Sequence, residues 1–215
     1  MRTLPLDQSV AMIPDGASLM IGGFMGVGTP ERVVDELVRQ NKRDLTVIAN
    51  DTAAPGKGIG KLVGAKLVRK AIVSHIGLNP ETQRQMMAGE MEVELVPQGT
   101  LIERIRAGGF GLGGILTQTG LGTPVETGKQ RIEAGGRTYL LELALRADFA
   151  LVQAFLADYL GNLSYALTAR NFNPVMAMAA DTVIASADNI VPVGVMSPDH
   201  VVTPAPVVDY LVANA

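Results

Sequence analysis

Residues 18–31 read Ser18-Leu19-Met20-Ile21-Gly22-Gly23-Phe24-Met25-Gly26-Val27-Gly28-Thr29-Pro30-Glu31. A short apolar run closed by two glycines predicts a buried strand. Thr29 then reads as a helix N-cap and Pro30 as the first helical residue, with Val33, Val34, Leu37 and Val38 falling on one helical face. Between strand and helix, glycine permits positive φ and close approach of a ligand to the backbone. The unpaired N–H groups there suit an anion or a polarised carbonyl, although a tight strand–helix turn is the plainer use of the same residues.

The same theme repeats downstream. Apolar strands are predicted over 45–49, 71–74 and 93–96, with helical patterns around Leu62, Val63 and Leu67, from Pro80-Glu81, and over 100–106. Strands alternating with amphipathic helices define the α/β class: an open, mainly parallel sheet with helices on both faces. Gly-rich loops over 108–122 follow, then a β-hairpin extension through Ala134-Gly135-Gly136 into 138–145, and strands over 149–155, 182–186 and 201–208. No linker interrupts the pattern, so residues 1–215 are expected to form a single domain. In such sheets ligands bind beyond the carboxyl ends of the strands. Gly23-Phe24, Asn50-Asp51, Ser74-His75 and Pro97-Gln98-Gly99 should therefore face one crevice.

Composition narrows the chemistry. Among 215 residues, 47% are hydrophobic and 18% charged, below the roughly 25% charged of an average domain, so part of the surface is expected to lie against a partner. There is no Cys and there are only two His, which excludes thiolate catalysis, disulfides and multi-His or Cys-ligated metal sites. The N-terminus shows no secretory or transit pattern, which makes the cytoplasm the expected location. The uncharged stretch 107–125 is too rich in glycine to satisfy its backbone in lipid. A net charge of −3 gives no polyanion-binding field. Lys57, Lys61, Lys66, Arg69 and Lys70 form an acid-free run over 52–80, open to two uses: a solvated helix face or anion binding. After Arg170 no Lys or Arg occurs.

Two motif matches fail on context. The glycines at 109, 111 and 114 fit G-x-G-x-x-G in letters but follow a helical segment, and residues 55–61 lack P-loop spacing, which disfavours NAD and ATP. No G-x-S-x-G elbow is present, and Ser74 and His75 point to opposite faces of a strand. A crevice without a nucleophile implies that the reactive group comes from elsewhere.

The segment Asp15-Gly16 through Leu19-Met20-Ile21-Gly22-Gly23-Phe24 to Gly28 and Pro30 resembles the signature of the family I coenzyme A transferases, in their alpha subunit. So do Val96-Pro97-Gln98-Gly99-Thr100-Leu101, Arg106-Ala107-Gly108-Gly109, Thr119-Gly120 with Gly122-Thr123, and Ala169-Arg170-Asn171-Phe172-Asn173-Pro174. Asn50-Asp51-Thr52, Ser74-His75-Ile76-Gly77 and Asn79-Pro80-Glu81-Thr82 look most like the acetate/acetoacetate branch of short-chain fatty acid metabolism, less like the 3-oxoadipate or succinate branches. Gln118 departs from the family's usual Pro.

The resemblance implies half of an enzyme. The family's nucleophilic Glu lies in a Ser-Glu-Asn-Gly motif of a beta subunit, absent here, so a hetero-oligomer such as α2β2 is expected. CoA is implied as substrate, with no covalently bound cofactor, in a ping-pong reaction through a glutamyl-CoA thioester. Carried over residue by residue, CoA contact falls on Gly22, Gly23, Phe24, Met25, Gly26, Val27 and Gly28. Gln98 matches the family's active-site glutamine, and Asn50 is a weaker candidate beside it. A stand-alone phosphosugar enzyme of related fold and a non-catalytic binding module are the alternatives of different class.

Overall fold

The computed structural model describes residues 2–213. Strand β1 (Arg2–Leu4) and helix α1 (Leu6–Ala11) precede β2 (Ser18–Ile21), α2 (Glu31–Arg39), β3 (Leu45–Asp51), α3 (Ile59–Gly64), β4 (Val68–His75), α4 (Pro80–Met87), β5 (Glu92–Leu95) and α5 (Gln98–Gly109). An extension follows, made of β6 (Gly114–Thr117), β7 (Arg131–Ala134) and β8 (Arg137–Leu143). The chain then returns through β9 (Ala147–Asp158), β10 (Leu163–Ser164), α6 (Asn173–Ala177), β11 (Ala180–Val191) and β12 (Tyr210–Val212).

The main sheet has nine strands in the order β1-β12-β11-β9-β2-β3-β4-β5, with β10 paired to β9. Every pairing is parallel except β10 with β9. Side chains alternate between two cores, as a doubly covered sheet requires. Leu19, Ile21, Val47, Ala49, Ala71 and Val73 join Leu37 and Leu62 of the helices on one face. Met20, Ile48 and Ile72 join Leu101, Ile105 and Met176 on the other. The predicted open α/β sheet with helices on both faces is the architecture observed.

The extension is a separate antiparallel sheet, β6-β8-β7. Its hairpin turns at Gly135 (φ 58) and Gly136 (φ 72), the signs a two-residue type I′ turn needs. Arg104 of α5 donates to Leu143 O at 2.8 Å. Lys129 is ion-paired with Glu142, which is buried, so the charge of that carboxylate is compensated inside the protein.

Several local expectations are corrected. Residues 201–208 are not a strand. Pro204 and Pro206 have no N–H to give a ladder, and short 3₁₀ turns form at Pro198–His200 and Ala205–Val207, leaving the strand to Tyr210–Val212. Leu67 lies beyond its predicted helix, which ends at Gly64; Lys66, at φ 56, turns the chain toward β4. The helix predicted over 100–106 begins at Gln98 and takes in the first two glycines of the expected loop, while Gly114–Thr117 of that loop pairs with β8. Thr29 does not cap α2, as described below.

A Cβ added at Gly108 of α5 would lie 1.9 Å from Leu145 O, whereas one at Gly64 of α3 meets nothing within 4 Å. Gly108→Ala is expected to cost about 1–3 kcal/mol, seen as a lower urea midpoint at unchanged m-value. Gly64→Ala should be neutral or stabilising, by up to about 1 kcal/mol.

Candidate functional site

The glycine loop leaves β2 with Gly22 N still bonded to Leu151 O of β9 at 3.0 Å. It then closes a tight hairpin in which Phe24 N donates to Val27 O at 3.0 Å and Val27 N to Phe24 O at 2.9 Å. Met25 (φ 51) and Gly26 (φ 85) hold the two central positions, again the type I′ signs. Met25 N donates to Asp51 Oδ2 at 2.9 Å, while Asp51 Oδ1 accepts Ala53 N at 2.6 Å, so the turn is fastened to the end of β3. The Thr29 hydroxyl, expected at the N-cap, instead donates to Gly22 O at 3.1 Å and closes the base of the loop. Among the described residues, the amides of Gly23, Gly26 and Gly28 have no protein acceptor. The side chains of Met25 and Val27 stand exposed at the tip.

Asn173 ties this loop to its surroundings. It is fully buried; its Oδ1 accepts Gln153 N of β9 at 3.1 Å, and its Nδ2 donates to Gly28 O and Ala169 O, both at 2.9 Å. Gly22 must be glycine, because a Cβ there would sit 1.8 Å from Asn173 Oδ1. The 3₁₀ turn Leu167–Arg170 is thereby held against the loop. Arg170 Nε donates to Tyr165 O at 3.0 Å. The Tyr165 hydroxyl is bonded to Thr203 Oγ1 at 2.8 Å, and burial pushes its pKa up to about 12.

Two clefts meet at Leu167. One, of about 510 Å³, is lined by Phe24, Gln98, Leu167, Thr168, Arg170 and Asn171. The other, of about 660 Å³, has Val27, Gly28, Gln153, Phe155, Leu167 and Asp188 among its walls. Gln98, the first residue of α5, is exposed in the smaller cleft, and its Nε2 lies 2.9 Å from Asn50 Oδ1. Ser74 Oγ reaches the same oxygen at 2.9 Å and Asn50 O at 2.7 Å.

The strand-end residues expected to converge largely do: Phe24, Asp51, Asn50, Ser74 and Gln98 form one connected edge. Asn50 is wholly buried, so it meets the cleft through Gln98. His75 is exposed, lies against Gly77 and lines neither cleft. Arg170 and Asn171 were missed as cleft residues. The signal available was position: Arg170 is the last cation of the sequence, within a polar Asn-Phe-Asn-Pro run.

Three cations of the acid-free basic run are neutralised from elsewhere in the chain, while Arg69 donates to Thr46 Oγ1 at 3.3 Å. Lys61 pairs with Glu31 and Asp35, both at 2.6 Å, Lys66 with Glu90 at 3.0 Å, and Lys70 with Glu92 at 2.7 Å. Burial lowers the Lys61 pKa, but hydrogen bonds and attraction from its two carboxylates outweigh that and hold it raised. Lys57 has no such pair among the described residues and lies beside the loop tip, 3.9 Å from where a Cβ on Gly26 would be.

The carboxyl edge of this open parallel sheet presents unpaired backbone amides, a carboxamide and a guanidinium, a donor set that suits an electron-rich group. Residues 4–214 match the family model described as coenzyme A transferase, and the chain belongs to that family. It is 54% identical over 213 residues to the acetate CoA-transferase subunit alpha of Escherichia coli (strain K12), covering 99% of this chain and 97% of that one. It is 52% identical over 198 residues to the acetoacetyl-CoA:acetate/butyrate CoA transferase alpha subunit of Clostridium acetobutylicum, covering 92% and 91%. An acyl-CoA transferase from E. coli O157:H7, solved as a thioester complex with CoA, superposes with a TM-score of 0.88 at 23% identity over 99% of this chain, which spans 47% of that protein's length. Glutaconate coenzyme A-transferase from Acidaminococcus fermentans gives 0.85 at 19% identity, covering 99% and 75%. At these identities the two structures establish the shared fold.

Asn173→Asp keeps the acceptor for Gln153 but turns both donors toward Gly28 and Ala169 into acceptors facing carbonyl oxygens. It is expected to destabilise the protein by about 1–3 kcal/mol, read from urea titration.

Proposed function

We propose that this chain is the alpha subunit of a cytoplasmic CoA-transferase that moves CoA between a short-chain acyl-CoA and a carboxylic acid. Its partner is a beta subunit carrying a Ser-Glu-Asn-Gly nucleophile in an assembly such as α2β2. The observation that carries this reading is the donor set of the crevice: loop amides, Gln98 and Arg170 all donate, and none is a nucleophile. The relatives named above as acetate and acetoacetyl-CoA:acetate/butyrate alpha subunits support the same reading and its substrate range.

In the ping-pong sequence, the partner's carboxylate adds to the acyl-CoA carbonyl. The C–S bond breaks, leaving an acyl-glutamyl anhydride and CoA thiolate. The thiolate then adds to the glutamyl carbonyl, the acid departs, and an acceptor acid reverses both steps. Each addition places negative charge on a carbonyl oxygen. Gln98 supplies a neutral donor there, one that does not protonate the carboxylate nucleophile. Arg170 suits the carboxylate of the acid or the nucleophile. The loop from Gly22 to Gly28 contacts CoA with Met25 and Val27 at its tip, so binding energy from the distant coenzyme is available at the reacting carbon.

The isolated chain should show no turnover, and its cognate beta subunit should restore it; steady turnover by this chain alone would sink the half-enzyme reading. In the assembled enzyme, Gln98→Ala should lower kcat by roughly 10²–10³ with the complex intact by gel filtration. Gln98→Glu should be worse, since it places a like charge beside the nucleophile. Lys57→Glu should raise KM for CoA several-fold at low salt and less at high salt, while Lys66→Glu, already paired away from the loop, should leave it unchanged.

A further inference from the structure

The hydrogen-bond count at the crevice floor is unbalanced with Asn50 Oδ1 facing Gln98 and Ser74. Ser74 Oγ has one proton to share between Asn50 O at 2.7 Å and Asn50 Oδ1 at 2.9 Å, and Gln98 Nε2 donates to that same Oδ1. Meanwhile Asn50 Nδ2, with two protons, is buried without a partner among the described residues. The acceptor end of this amide is crowded and its donor end is idle.

Turning the Asn50 amide over exchanges its nitrogen and oxygen without moving any other heavy atom. The nitrogen then lies within hydrogen-bond distance of both Ser74 Oγ and the Gln98 amide, and both of its protons are used. Ser74 gives its one proton wholly to Asn50 O and accepts from Asn50 Nδ2. Gln98 must turn over as well, offering Oε1 inward to Asn50, which sends its NH₂ with both protons toward the cleft. One buried carbonyl oxygen replaces two buried unpaired N–H groups, the cheaper of the two exceptions.

We propose that Ser74 is a positioning residue for the transfer reaction. Because its proton is committed to the Asn50 main-chain carbonyl, its lone pair selects the nitrogen of the Asn50 side chain. Asn50 in turn holds Gln98 by its carbonyl oxygen, so Gln98 meets substrate with donors only. The relay matters to catalysis only if Gln98 is the donor argued above, and it therefore rests on that reading.

The test uses the assembled alpha–beta enzyme. Ser74→Ala should lower kcat about tenfold with KM for acyl-CoA unchanged, and Ser74→Thr, which keeps the hydroxyl, should restore most of the rate. In a Gln98→Ala background, Ser74→Ala should have no further effect on kcat, since both act through one group. An unchanged kcat in Ser74→Ala, failure of Ser74→Thr to rescue, or a full additional loss in the Gln98→Ala background would overturn the proposal. A neutron structure of the deuterated complex separates the two ideas. Nitrogen of Asn50 facing Ser74 Oγ supports the relay, and oxygen there overturns it, whatever Gln98→Ala does to the rate.

Discussion

The crevice depends on one side-chain amide. Asn173 offers two donors and an acceptor, and all three are taken, by Gly28 O, Ala169 O and Gln153 N. Those partners belong to the glycine loop, the 3₁₀ turn and the central strand β9, and the first of these bonds spans 145 positions of sequence. In a buried setting each unmet group would carry a desolvation penalty, so the three segments have little freedom to separate. The contact also explains the sequence of the loop: Gly22 is required by the room Asn173 occupies.

The regions of the fold that were legible in the sequence are those where one local rule operates alone. The stretches 19–21, 47–49 and 71–73 are buried on both faces of the sheet, so these apolar runs could hardly be anything else. Asn79 caps α4 through Thr82 N at 3.3 Å just ahead of Pro80, as that pairing of residue types implies. Prediction failed where two rules competed. Thr29 could cap a helix or close a loop, and tertiary context chose the loop. Val201, Val202, Val207 and Val208 favour a strand, but the prolines among them deny the ladder its donors.

The site was partly legible for a related reason. Strand ends on one edge must converge in a parallel sheet, which brings Phe24, Asn50, Ser74 and Gln98 together without any knowledge of side chains. The turn at 167–171 could not be placed that way, since it follows β10 and its position is set by Asn173. Charge misled in the opposite sense. The run from Lys57 to Lys70 is free of acid in sequence, yet Glu31, Asp35, Glu90 and Glu92 reach it in space. Lys57, beside the loop tip, and Arg69, which donates to the Thr46 hydroxyl, have no carboxylate partner among the described residues.

The order of the main sheet carries a consequence for how the chain comes to be folded. Strand β2 is flanked on one side by β3 and on the other by β9, whose residue Phe149 pairs with Leu19. Asp148 of β9 also accepts from Ser18 N and Ser18 Oγ, both at 2.7 Å, across 130 positions of sequence. During synthesis the half-sheet β2–β5 therefore emerges with the bare edge of β2 open until β9 follows. Long-range parallel pairing of this kind is slow to close and leaves unpaired backbone exposed meanwhile. The central strand of the finished protein is thus a late arrival, and until it is made the nascent N-terminal half presents an unpaired strand edge of the kind that invites edge-to-edge pairing.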